Sequence, residues 1–303
     1  MQEFTIPYSY GLTSTVLLSL LTLLSAFAYI KIILIFAFNK KHRCLEAYQI
    51  MIQMGIVQCV LAPGFVIVSV THLLFGKIDI FVQESLRMLV PSIRFCAMMD
   101  FVLVLNRLRI MTGLKYPQTI HKMLMIASWI IYAIVLGTNL GFKINYKADV
   151  LRTVMGAKGM PPVLCEIYDT SFYISMGTVV MTPISYVVVV IAIFKQYQGE
   201  GIKQALIKQR QILIYAFVRF IFNLFDITIT EYGRDLVPET HIAEYLILLF
   251  YVFDNLVLPP MLYLMVNREL RSDFFTCRAQ KVVFSPTHKC CVVTGVVALS
   301  PKD

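Results

Sequence analysis

Long, unbroken apolar runs separated by short polar and basic clusters set the pattern of this chain. The runs fall at approximately Thr13–Phe38, Tyr48–Phe75, Leu86–Met111, Met123–Gly141, Ser171–Phe194, Gln211–Tyr232 and Ala243–Val266. Each reaches the roughly 20 residues that an α-helix needs to cross about 30 Å of hydrocarbon. The apolar positions are consecutive, without the alternation of a membrane β-barrel strand. Lipid offers the backbone no hydrogen bonds, so each run is predicted to be a helix that satisfies its own peptide groups. The expected fold class is an all-α membrane protein, a seven-transmembrane helix bundle.

Composition agrees with this pattern. Of 303 residues, 58% are hydrophobic and 15% charged, and the mean hydropathy is +0.73, well outside the soluble globular range. Little is left for a second domain. One membrane domain is expected over residues 1–275, including a short membrane-surface helix at 267–275. A flexible tail is expected at 276–303.

Charge orients the bundle. Lys40, Lys41 and Arg43 follow the first run; Arg107 and Arg109 close the third, and Lys115 and Lys122 follow it; Lys195, Lys203, Lys208 and Arg210 follow the fifth. Arg268, Arg271, Arg278, Lys281, Lys289 and Lys302 follow the seventh. The opposite face has only Lys77, Lys143, Lys147, Arg152, Lys158 and Arg234. Basic loops stay in the cytosol, which predicts the N-terminus outside and the C-terminus cytosolic. The net charge of +9 is that of a basic inner face against anionic lipid and calls for no nucleic acid. Nothing basic precedes the first run and a basic cluster follows it, so it is expected to be an uncleaved anchor. Lys31, about 10 Å from the cytosolic end of that run, is placed to snorkel.

Little site chemistry of other kinds is visible. Of the seven cysteines, only Cys165 faces an oxidising compartment in this topology, so no disulfide framework is implied. The five histidines are scattered, and neither a Cys-x-x-Cys nor a His-Glu-x-x-His spacing occurs, so neither cofactor nor metal is expected. The abundant Met and Phe are read as lipid-facing bulk, and Trp129 in the fourth run as packing.

Local motifs then give the bundle a resemblance. Leu105-Asn106-Arg107-Leu108 closes the third run where G-protein-coupled receptors carry Asp-Arg-Tyr, with Arg107 in the arginine position. Trp129 in the fourth run and Pro183 in the fifth stand at the usual places. Pro259-Pro260-Met261-Leu262-Tyr263 resembles Asn-Pro-x-x-Tyr, with Pro260 and Tyr263 in register. Leu270 and Phe274 share one face of the segment that follows, as in a helix lying on the inner leaflet. The Asn-Arg pair, the Leu-Pro-Pro seventh run and the short N-terminus resemble the nematode serpentine chemoreceptors of the srx and srt branches. The chain departs from the wider pattern too. Asn106 replaces an acid, Pro259 replaces an asparagine, and the sixth run lacks both proline and tryptophan. The usual disulfide from the third helix is missing, because Cys96 lies about 16 Å above Arg107, too deep to reach Cys165.

The resemblance implies a chemosensory receptor in the plasma membrane, with the ciliary membrane of sensory neurons as its expected setting. Its partners would be a small extracellular ligand, a heterotrimeric G protein and the bilayer. Coupling would run through Arg107, Pro260 and Tyr263. The embedded charges refine this picture. A charge at mid-membrane costs roughly 2.5–3.5 kcal/mol, so each needs a partner or a wet cavity. Asp100 lies about 10 Å above Arg107, and Asp254 about 9 Å above Pro260, with Arg219 entering at a similar level. These three form one expected network. Arg94 and Asp226 lie farther out and form a second pair, expected to face the ligand. The same charges serve equally as static ion pairs holding the bundle together. They also suit an ion relay, and a secondary transporter is therefore the alternative reading, although the two halves of the chain show no internal repeat. No enzyme motif stands out.

Overall fold

Two prolines open the fifth helix. Pro161 accepts from the amides of Leu164 at 2.9 Å and Cys165 at 3.2 Å, and Pro162 takes the first helical position, where its missing N–H costs nothing. The computed structural model describes residues 8–39, 45–70, 80–112, 117, 119–142, 161–196, 218–225, 228–229, 241–266 and 268–275. Over these residues the predicted runs are helices: α1 (Tyr8–Phe38), α2 (Glu46–Val68), α3 (Ile80–Thr112), α4 (Thr119–Gly141) and α5 (Pro162–Gln196). α6 is described over 218–225. α7 runs as His241–Val252, passes through a π-helical turn at Phe253–Val257 and continues as Leu258–Val266; a short α8 (Arg268–Phe275) follows. Among the described residues, six helices are long and apolar enough to span a membrane. With α6 the arrangement is a seven-helix membrane bundle.

Helices α1 to α5 and α7 all start earlier than their apolar runs, α5 and α3 by the most. α5 begins at Pro162, nine residues before Ser171, and so takes in Glu166 and Asp169. α3 begins at Ile80, ahead of Leu86. There Glu84 pairs with Arg87 one turn on, and the paired charges are carried inside the helix.

α3 is the central helix. Its apolar window is 83% buried, against 28% in α1, α4 and α5. It packs on α2, α4 and α5, while α1 packs on α2, α7 and α8. The α1–α2 approach is close at Gly55, where an added Cβ would lie 2.8 Å from Ile33 Cδ1 and 3.1 Å from Tyr29.

Pro91 interrupts α3. It has no N–H for the carbonyl of Arg87, four residues back. Asn139 of α4 donates its Nδ2 to that carbonyl at 3.0 Å and is itself fully buried. A neighbouring helix thus completes the α3 ladder, as lipid cannot.

The expectation that Met and Phe face lipid needs correction. Met54, Met99, Phe36 and Phe95 are at most 1% exposed, whereas Phe27 and Met123 lie on the outside. Lipid is as apolar as the core, so hydrophobicity does not sort the two faces of a span. At the Arg107 end, Leu270 of α8 is fully buried. The Lys31 ammonium lies 4.5 Å over the Phe274 ring, and Asn39 Nδ2 donates to Asp273 at 3.4 Å. Lys31 therefore ties α1 to α8. Cys59, Cys96 and Cys165 are free thiols. The tail at 276–303 lies outside the described residues.

Candidate functional site

Three buried charges from three helices meet near the middle of the bundle. Arg219 of α6 places Nε 3.2 Å from Asp100 Oδ2 on α3 and Nη1 2.8 Å from Asp254 Oδ1 on α7. Their side chains are 3%, 6% and 1% exposed, respectively. Asn223, one turn beyond Arg219 on the same face of α6, donates its Nδ2 to Asp100 Oδ2 at 2.7 Å. Desolvating such ions is costly, and Coulomb attraction repays it only where geometry and extra hydrogen bonds are good. Here the guanidinium fork spans two acids and Asn223 fills a further acceptor site.

The same arginine makes a backbone contact. Arg219 Nη1 donates to the main-chain carbonyl of Asp254 at 3.1 Å. Asp254 sits in the π turn of α7, where Leu258 N–H donates to Phe253 O, five residues back. Helix ladders with this irregular register recur at functional sites.

Arg94 lies farther from Arg107 along α3 and faces α5. Its Nη1 donates to Ser171 Oγ at 2.7 Å and to the Tyr168 carbonyl at 3.1 Å. The guanidinium stacks 4.1 Å over the Tyr168 ring and 5.7 Å from that of Phe172. Asp226, its expected partner, lies outside the described residues. A cavity of about 270 Å³ between α4 and α5 is lined by Ser171, Thr170 and Glu166 together with Ile131 and Val135.

At the far end of α3, Arg107 is half-buried and, among the described residues, makes no hydrogen bond or ion pair. Its neighbour Asn106 turns to α2 and donates to Glu46 Oε2 at 2.6 Å. His121 of α4, fully buried, sets its Nδ1 3.0 Å from Glu46 Oε1. This three-helix cluster was missed in the sequence; Glu46 reads there as an ordinary first-turn acid. Pro260 and Tyr263 are both buried, and the Tyr263 ring packs 6.2 Å from Tyr29 and 6.0 Å from Phe36. Trp129 does more than fill space. Its indole N–H donates to Gln53 Oε1 at 2.8 Å, while its ring packs 4.7 Å from Phe95.

The architecture has a solved counterpart. The crystal structure of squid rhodopsin superposes with a TM-score of 0.62, covering 89% of this chain and 86% of that one at 12% identity. The chain has a rhodopsin-like fold. No family model and no curated protein matches the sequence. Identity this low carries the fold and leaves function to the site. The rhodopsin-like bundle makes this a multi-pass membrane protein and places Asp100, Arg219 and Asp254 where its third, sixth and seventh helices converge.

Proposed function

We propose that the chain is a G-protein-coupled receptor for a small extracellular ligand. One observation carries the reading: within a rhodopsin-like fold, Arg219 of α6 is ion-paired at once to α3 and α7. A link of this kind has two states, made and broken, and a ligand that favours one over the other shifts the balance. In this reading the N-terminus is outside and the basic ends face the cytosol. Arg94 and Asp226 serve the ligand side. Arg107, Pro260 and Tyr263 serve the G-protein side, with Arg107 held ready by its lack of an adjacent acid. The resemblance of the Asn106-Arg107 and Leu258-Pro259-Pro260 motifs to the nematode serpentine receptors supports a chemosensory role at the plasma membrane.

The test is nucleotide exchange on a heterotrimeric G protein by the full chain in nanodiscs, set beside solute flux in liposomes. Ligand-dependent exchange without flux is expected. Flux without exchange overturns the reading in favour of a transporter.

A further inference from the structure

The π turn of α7 deprives the Asp254 carbonyl of the N–H that a regular α-helix would give it. In a regular α-helix Leu258 N–H would donate to Asp254 O, four residues back. Here it donates to Phe253 O, five back. The next position is Pro259, which has no N–H. The Asp254 carbonyl is 99% enclosed with its residue, and its donor comes from another helix, Arg219 Nη1 at 3.1 Å.

In the α register Pro259 and Pro260 fail the carbonyls of Asn255 and Leu256. In the π turn Leu258 serves Phe253 and the α-helix resumes beyond it, so the Asp254 carbonyl joins those two. A change to the α register therefore serves the Asp254 carbonyl from within the helix, and an outside donor to Asp254 offsets that gain.

We infer that α7 is a two-register helix and that Arg219 selects the register. With Arg219 engaged, the turn is π. With Arg219 withdrawn, Leu258 N–H returns to Asp254 O and the turn becomes α. A π turn holds one residue more than the α register, so its loss rotates the chain beyond it by about one residue, or ~100°. The rotated segment is Leu258–Val266, which carries Pro260 and Tyr263 and leads into α8. At present Met261 and Met265 face outward, 45% and 54% exposed, while Leu262 and Tyr263 are buried. Rotation passes the lipid-facing line to Leu264. Arg219 is thus a positioning residue for the far end of α7. This holds whether or not the chain is a receptor; under the receptor reading it converts movement of α6 into rotation of α7.

A nitroxide scan tests it. Single labels at residues 261 to 265, in a cysteine-free background of the full chain in nanodiscs, report lipid exposure through collisions with oxygen. The unsubstituted site is expected to give maxima at 261 and 265. The variant Asp100→Asn/Arg219→Met/Asp254→Asn removes the donor and every buried charge of the network together. Its maximum is expected at 264, with 261 and 265 falling. An unchanged pattern, with or without a lower melting midpoint, reduces Arg219 to a structural ion pair and overturns the inference. Failure of the charge-free variant to fold also overturns it, because the α register supplies the Asp254 carbonyl from within the helix.

Discussion

Arg219 Nη1 stands 2.8 Å from the Asp254 carboxylate and 3.1 Å from the carbonyl of the same residue. One donor therefore holds both the side chain and the main chain of a single position on α7. Removing it strands two buried acids. Arg219→Gln is expected to destabilise the bundle by roughly 3–5 kcal/mol, read as a lower melting midpoint in detergent. Neutralising Asp100 and Asp254 in the same variant is expected to recover most of that loss, since the network then holds no buried charge. A single variant as stable as the parent contradicts the pairing.

The Asn139–Arg87 contact gives a cleaner backbone test. Asn139→Ala leaves the Arg87 carbonyl without its side-chain donor, at an expected cost of about 1–3 kcal/mol. Pro91→Ala restores an N–H at the position that would normally serve that carbonyl. The double variant is expected to lose much less than Asn139→Ala does alone. Strict additivity of the two changes in a thermal double-mutant cycle would show that the proline and the asparagine are unrelated.

Gly55 sets the α1–α2 distance. A Cβ there meets Ile33 Cδ1 at 2.8 Å and the Tyr29 ring at 3.1 Å. Gly55→Val is expected to cost about 1–3 kcal/mol by overpacking. Ile33→Ala should return part of it, because the nearest obstruction is the end of that side chain. Equal melting midpoints for Gly55→Val and the parent would place the two helices farther apart than described.

Arg107 separates function from stability. It makes no hydrogen bond or ion pair among the described residues, so Arg107→Ala is expected to leave the melting midpoint unchanged. Under the proposed function it abolishes nucleotide exchange on the G protein. A variant with parental exchange removes Arg107 from the coupling surface.

Much of the bundle is written openly in the chain. The apolar runs mark the spans, and counting the helical rise along three of them brings Asp100, Asp254 and Arg219 to one level; in the structure they touch. What stays hidden is whatever depends on direction or register. Helix α5 starts nine residues before its apolar run because Pro162 opens it, and the polar turn around Glu166 disguises that start. The π turn is a slip of one residue, and the adjacent Pro259-Pro260 pair is its only trace in the sequence. Asn139 looks like a polar residue near a helix end until the Arg87 carbonyl is seen beside it. Glu46, Asn106 and His121 lie on three helices, and nothing in their local sequence joins them.

The burial of α3 has a cost during biosynthesis. Asp100 enters the membrane 119 residues before Arg219 has been made. At about 5–20 residues per second, the acid waits roughly 6–24 s for its counter-charge. In that interval α3 is the span least suited to lipid, so it must be sheltered beside the translocation machinery or its partner helices until α6 arrives. Slowing translation between these two helices should therefore lengthen the window in which the nascent chain is vulnerable to degradation.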